Sequence, residues 1–196
     1  MTEDEVRVTE DLQREHRDIV LMLRIMQAVS RKIRRGVKVS RDDLNAVLEF
    51  MDVFVDACHQ GKEEKILYPA IESTGVRFRC PGKVAALAQH EACRSIVQFL
   101  RSTLQACDED YSDAATVIAS TIRQYVETMR RHIQTEEENL FPIADGAIDQ
   151  LEQDRIVRSF GEFDQGLADS GKRRQFDEML LRLSVSHLPK SDPPVF

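Results

Sequence analysis

Apolar positions recur every three and four residues along four long stretches of the chain, the spacing of one buried helical face. In the first stretch Leu12, His16, Ile19, Val20, Leu23 and Met26/Gln27 form a stripe that predicts a helix from about Thr9 to Arg34. Gly36 ends it, with Arg31, Lys32, Arg34 and Arg35 near the negative end of the helix dipole. Ser40-Arg41-Asp42-Asp43 reads as an N-cap with an acidic first turn. The second helix runs on through Leu44, Val47, Leu48, Met51, Val55, His59, Glu63 and Ile66/Leu67. Gly61 weakens it by about 1 kcal/mol relative to Ala, and Pro69 removes a donor and favours a kink. After a loop over 73–82, a third helix carries Val84, Leu87, His90, Val97, Leu100 and Leu104 to about Cys107. The polar run 108–113 opens a fourth, with Val117/Ile118, Ile122, Tyr125, Met129, His132, Glu136, Leu140 and Ile143, ending near Asp145-Gly146.

Short connections make neighbouring helices antiparallel. The expected fold class is therefore all-α, a four-helix bundle over 1–146. Residues 147–160 and 172–185 predict two shorter helices, separated by Gly161, Gly166 and Gly171. They belong to an extension, 147–196, expected to pack on the bundle or on a second copy as a homodimer contact. Residues 1–8 are expected to fray, and the last ten residues, with His187 at their start and Pro189 among them, to form an extended tail.

Composition narrows the classes. A chain of 196 residues, 42% hydrophobic and 31% charged, is long enough for one sizeable core. A net charge of −7 argues against a general nucleic-acid surface and suits a protein that holds cations. No run approaches a transmembrane span, and Met1-Thr2-Glu3-Asp4-Glu5 lacks the basic and apolar regions of a signal peptide. The expectation is a cytoplasmic protein with no membrane or nucleic-acid partner. Cys58, Cys80, Cys93 and Cys107 contain no C-x-x-C pair and read as buried free thiols.

The chemistry lies in a repeat. His59-Gln60-Gly61-Lys62-Glu63-Glu64-Lys65-Ile66-Leu67-Tyr68-Pro69 returns 73 residues later as His132-Ile133-Gln134-Thr135-Glu136-Glu137-Glu138-Asn139-Leu140-Phe141-Pro142. His16 precedes the first copy by 43 residues and His90 the second by 42. In each copy the His and the first Glu are four apart, one turn along one helical face, where both can reach a metal. Burying four imidazoles and two carboxylates without a partner would be costly. The candidate metal ligands are His16, His59, Glu63, His90, His132 and Glu136. Glu64, Glu137 and Glu138 read as surface charges, with Glu64, Glu137 or Tyr125 as conceivable proton relays. His187 matches nothing in the repeat and reads as a surface histidine. Imidazole suits iron, zinc and copper, and carboxylate favours the harder ions, so the set points to two irons rather than a structural zinc, which closes at four ligands. His90-Glu91 opens like a zinc-protease H-E-x-x-H, but the fifth position is Arg94, so that motif is absent.

These residues, from His16 through the two His-x-x-x-Glu-Glu-x-x-Leu-aromatic-Pro runs, resemble the hemerythrin-like (HHE cation-binding) family of bacteria and archaea, over roughly residues 9–145. The resemblance implies an up-down-up-down bundle around two non-haem irons, oxo- or hydroxo-bridged. His16, His59, His90 and His132 would be terminal ligands, with Glu63 and Glu136 as bridges. Oxygen-carrying members have a further His one turn after the third helix's His, where this chain has Arg94. That leaves a more open position, with Glu91, Gln60 or Tyr125 as candidate substitutes. The implied function is a diiron protein that binds or consumes oxygen, hydrogen peroxide or nitric oxide. The alternative is an iron or oxygen sensor without turnover.

Overall fold

The structure, a computed structural model, describes residues 7–75, 81–107, 110–169 and 171–189. Expectations for residues 1–6, Cys80 and the tail beyond Pro189 lie outside them. Helix α1 is Thr9–Arg34, and Gly36 closes it at φ 72°. Helix α2 is one continuous run: Arg41–Glu49, a π-helical stretch Phe50–Gln60, a second π-helical turn Glu63–Leu67, and Tyr68–Ser73. Helix α3 is Pro81–Gln105. Helix α4 follows a 3-10 turn at Ser112–Ala114 and comprises Ala115–Thr135, a π-helical turn Glu136–Leu140, and Phe141–Ala147. Helices α5, Gln150–Asp169, and α6, Lys172–His187, complete the chain. It is an all-α helical bundle, with no strand among the described residues.

The start of α2 is capped as its sequence requires, Ser40 accepting the Asp43 backbone N–H at 3.1 Å. The π turns Glu63–Leu67 and Glu136–Leu140 each precede an aromatic-Pro pair. Proline has no N–H to give and crowds the preceding turn, so the helix widens rather than closing its usual ladder. The kink expected at Pro69 takes this form, at equivalent places in both repeats. Antiparallel packing is read from side chains. Along α3, His90, Arg94 and Arg101 meet Glu64, Asp56 and Asp52 in descending order on α2. Along α1, Thr9, His16 and Ser30 meet Asp145, Glu137 and Ala119 of α4.

Two apolar cores fill the bundle. One holds Ile19, Leu23, Met26, Phe50, Phe54, Leu100, Ile122, Met129 and Phe176. The other holds Val8, Leu12, Leu67, Tyr68, Ala86, Leu140, Phe141 and Phe160. The histidines and carboxylates of the repeats fall at the boundary between them on every bundle helix. Large apolar side chains buried this fully contribute about 1.5–3 kcal/mol each, and that burial offsets the cost of the polar layer.

Several expectations change. Val20, Val84, Leu87 and Val117 are exposed, while Leu21, Met22, Ile25 and Ala86 are buried in their place. The neighbours of each helix set its inward arc, and these flanking positions fall at the edge of it, whereas the stripe of α2 from Leu44 to Leu67 is buried as its spacing predicts. The helix expected over 147–160 continues through Gly161 to Asp169, and the break comes at Gly171, whose φ is 68°. His187 is not a surface residue. It is 9% exposed, taking a hydrogen bond from Lys32 Nζ at Nδ1 and facing Asp43 Oδ2 through Nε2, each at 3.1 Å. Helix α6 lies in the groove between α1 and α2: Arg173 bonds Asp18 at 2.6 Å, and Arg182 pairs with Asp43. Cys58 and Cys93 are buried free thiols. No helix among the described residues is long and apolar enough to cross a membrane.

Candidate metal centre

Two groups of four side chains gather in the layer between the cores: His16, His59, Glu63 and Glu136, and Glu63, His90, His132 and Glu136. They share both glutamates. All six candidate ligands are buried, His16 at 2% exposure and the others at none. The four-residue spacing works as anticipated. His59 Nε2 lies 3.0 Å from Glu63 Oε1, and His132 Nε2 lies 3.2 Å from Glu136 Oε2. Contacts across helices tie the halves together: His16 Nε2 to Glu136 Oε2 at 3.3 Å, and His90 Nε2 to Glu63 Oε2 at 3.3 Å. The Nε2 atoms of His90 and His132 are 3.3 Å apart.

Most of these converging atoms lie close to one another and yet lack a hydrogen bond. His16 Nε2, His59 Nε2, both oxygens of Glu63 and Glu136 Oε2 are buried and form no hydrogen bond. Leaving such atoms unsatisfied costs about 1–3 kcal/mol each, more for a charge. A cation among them would use every converging lone pair, and the residues present therefore fit a metal.

The opposite ring nitrogens are held from outside. The second Glu of each repeat reaches the leading histidine of a neighbouring helix: Glu64 Oε1 lies 2.6 Å from His90 Nδ1, and Glu137 Oε1 lies 3.0 Å from His16 Nδ1. Glu64 and Glu137 are thus not idle surface charges, although Glu137 is exposed; Glu138 is exposed as expected. Glu15 Oε2 lies 2.9 Å from His59 Nδ1. A carboxylate on Nδ1 fixes the tautomer that turns the Nε2 lone pair inward. His132 lacks this support: its Nδ1 has no partner, and neither has Oε1 of Gln89, the residue before His90 as Glu15 is the residue before His16.

The electrostatics follow. Burial lowers the His59 pKa, but the charge of Glu63 and the bond to Glu15 outweigh it and push the pKa up to about 10. His16 and His90 rise for the same reason, burial being overcome by the carboxylates of Glu136 and Glu137 beside the one and of Glu63 and Glu64 beside the other. Burial dominates at His132 and pushes it down to about 3, with only Glu136 opposing. Glu63 is held well below the carboxylate range: burial raises it, but the adjacent charge of His59 prevails.

Sequence reasoning passed over Glu15, Lys62, Tyr68 and Asp164. Lys62 is fully buried and pairs with Glu15 and with Asp164. Tyr68 donates to Glu136 Oε1 at 2.5 Å. Only Tyr68, as the aromatic of the repeated motif, carried a sequence signal. Arg94 stands half-buried between Asp56 and Glu64, bonding each at 2.6 Å, so it supports His90 through Glu64. Of the candidates for the open position, Glu91 is 74% exposed and faces Arg94. Gln60 is buried with both amide atoms unpartnered, and it lines a cavity of about 200 Å³ with Cys93, Arg94, Val97 and Tyr125.

A family model described as the hemerythrin HHE cation binding domain matches residues 7–144, which span α1 to α4, and matches a second time over residues 85–187, from α3 to the end of α6. No curated protein and no solved structure matches the chain.

Proposed function

The chain belongs to the hemerythrin HHE cation-binding domain family, and on that premise we propose that it is a non-haem diiron protein that binds or reacts with a small oxidant. The observation that carries this reading is the pair of His/Glu groups sharing Glu63 and Glu136. Each half offers two imidazoles, and Glu63 and Glu136, common to both groups, would hold the two metals together with them. Four imidazoles with two carboxylates suit iron better than a four-coordinate structural zinc. Residues 1–146 would be the metal-binding bundle, with 147–196 as an extension docked on it.

When bound, the irons would supply the redox chemistry. The protein's own part is to hold and orient. Glu15, Glu64 and Glu137 set three of the imidazoles. The two apolar cores exclude bulk water from the layer. A small ligand such as oxygen, peroxide or nitric oxide would enter by the cavity that Gln60, Arg94 and Tyr125 line. The test is anaerobic reconstitution with ferrous iron, then metal analysis and a near-ultraviolet and visible spectrum after oxygen is admitted. About two irons per chain with bridged-diiron absorption supports the reading; a single zinc, or no metal in a folded protein, overturns it. Peroxide, oxygen and nitric oxide are then compared as reactants.

A second reading, a sensor without turnover, draws on one observation. A residue of the extension, Asp164, is joined to a candidate ligand through Lys62 and Glu15.

A further inference from the structure

His16, His90 and Asp164 stand at a common interval of 74 residues. The environment repeats with them. Four residues earlier stand Leu12, Ala86 and Phe160, each fully buried in the same apolar core. Eight residues earlier stand Val8, Gly82 and Ile156, all buried. Helix α5 thus places its residues in the register of α1 and α3, and the second family match runs through it. Where those helices carry an inward histidine, α5 carries Asp164. Its carboxylate meets a cation already built into the chain, the Lys62 ammonium, at 3.1 and 3.2 Å.

Lys62 is the centre of this contact. Glu15, Cys58 and Asp164 converge closely enough to hold an ion, and the ammonium lies among them. It donates to Glu15 Oε1, and it lies 5.5 Å from the centre of the Phe160 ring, also on α5. The other oxygen of Glu15 is the one that meets His59 Nδ1 at 2.9 Å. Helix α5 comes close at Gly61, beside Lys62, where a Cβ would stand 3.1 Å from the tip of the Phe163 ring of α5.

We propose that Asp164 and Lys62 are positioning residues that join α5 to the metal centre through Glu15 and His59, so that docking of α5 and metal occupancy of the His16/His59 half favour one another. The proposal rests on the metal reading above, with His59 as a ligand. Its physics is reciprocal. A buried ammonium deprived of one carboxylate draws water or moves outward, and either shift loosens Glu15 from His59. A metal on Nε2 makes Nδ1–H a stronger donor to Glu15, and the strengthened chain holds Lys62 and Asp164 in place. The His90/His132 half has no such connection: position 135, the repeat counterpart of Lys62, is a threonine, and His132 Nδ1 is unpartnered.

The test titrates the full chain anaerobically with ferrous iron and follows amide hydrogen exchange across α5, for the natural protein and for Asp164→Asn. The expected result is that iron slows exchange in α5 of the natural protein. In Asp164→Asn one of the two irons binds about 10–100-fold more weakly, the other is unchanged, and the iron-dependent protection of α5 is lost. Should Asp164→Asn lose helix content without metal, Asp164→Glu, which keeps the charge one methylene further out, takes its place with a smaller loss expected at the same iron. Equal iron binding in variant and natural protein, equal weakening of both irons, or α5 protection indifferent to iron would each overturn the linkage while leaving the metal reading standing. A natural protein that takes up no iron at all would overturn both.

Discussion

Tyr68 and Glu136 face each other across the two repeats, the tyrosine hydroxyl donating to Glu136 Oε1 at 2.5 Å. The consequence is an inequality between the shared carboxylates. Glu63 turns Oε1 to His59 and Oε2 to His90, whereas Glu136 has only Oε2 free, and that atom faces both His16 and His132. Phe141, the repeat counterpart of Tyr68, has no hydroxyl with which to do the same to Glu63. Tyr68→Phe would leave a buried carboxylate oxygen unpaired. The metal-free protein should lose about 1–3 kcal/mol of stability, measured by urea denaturation, with the iron count unchanged.

Removing one imidazole from either half should remove one metal. His59→Ala and His132→Ala are each expected to lower bound iron from about two per chain to about one, measured by metal analysis after reconstitution. Unchanged iron in both variants would end the metal reading.

Metal uptake should depend on pH with a definite sign. Ligating histidines must be neutral, so iron has to displace the protons that His59, His16 and His90 hold more tightly than free imidazole. Apparent affinity should rise with pH, and uptake should release protons, detected by a pH indicator in weak buffer. The metal-free protein should follow the opposite course at His59. Its folded pKa of about 10 lies above the unfolded value of roughly 6.5, so its stabilising effect is complete below roughly pH 6.5 and is lost as pH rises through about 10. His132, lowered to about 3, contributes above roughly pH 6.5 and loses that contribution as pH falls toward its folded value.

Gly61 is open to a direct test. Helix propensity alone favours any larger residue there by up to about 1 kcal/mol. A Cβ, however, would lie 3.1 and 3.2 Å from the tip of the Phe163 ring. Gly61→Leu should therefore displace α5 and cost about 1–3 kcal/mol net, with faster proteolysis within 150–169 as the readout.

What the sequence determined by itself is the part governed by local rules. Helical spacing is a property of neighbouring residues, so α1 emerged from Leu12, His16, Ile19 and Leu23 with the bounds it has in the structure, and Ser40 was legible as a cap. Duplication made the six candidate ligands legible as well, because a repeated His-x-x-x-Glu places both side chains on one face in any helix, and His16 and His90 precede the two copies by nearly equal intervals. Tertiary structure alone decided the rest. Glu15 lies one position off the stripe of α1 and reads as solvent-facing until α2 and α5 enclose it with Lys62. Glu64 reads as a surface charge until α3 brings His90 against it. His187 reads as a tail residue until α6 settles between α1 and α2. These contacts join residues 26 to 155 positions apart, and they depend on which helix faces which. Only packing sets that, because burial rewards the whole arrangement rather than any one segment of the chain.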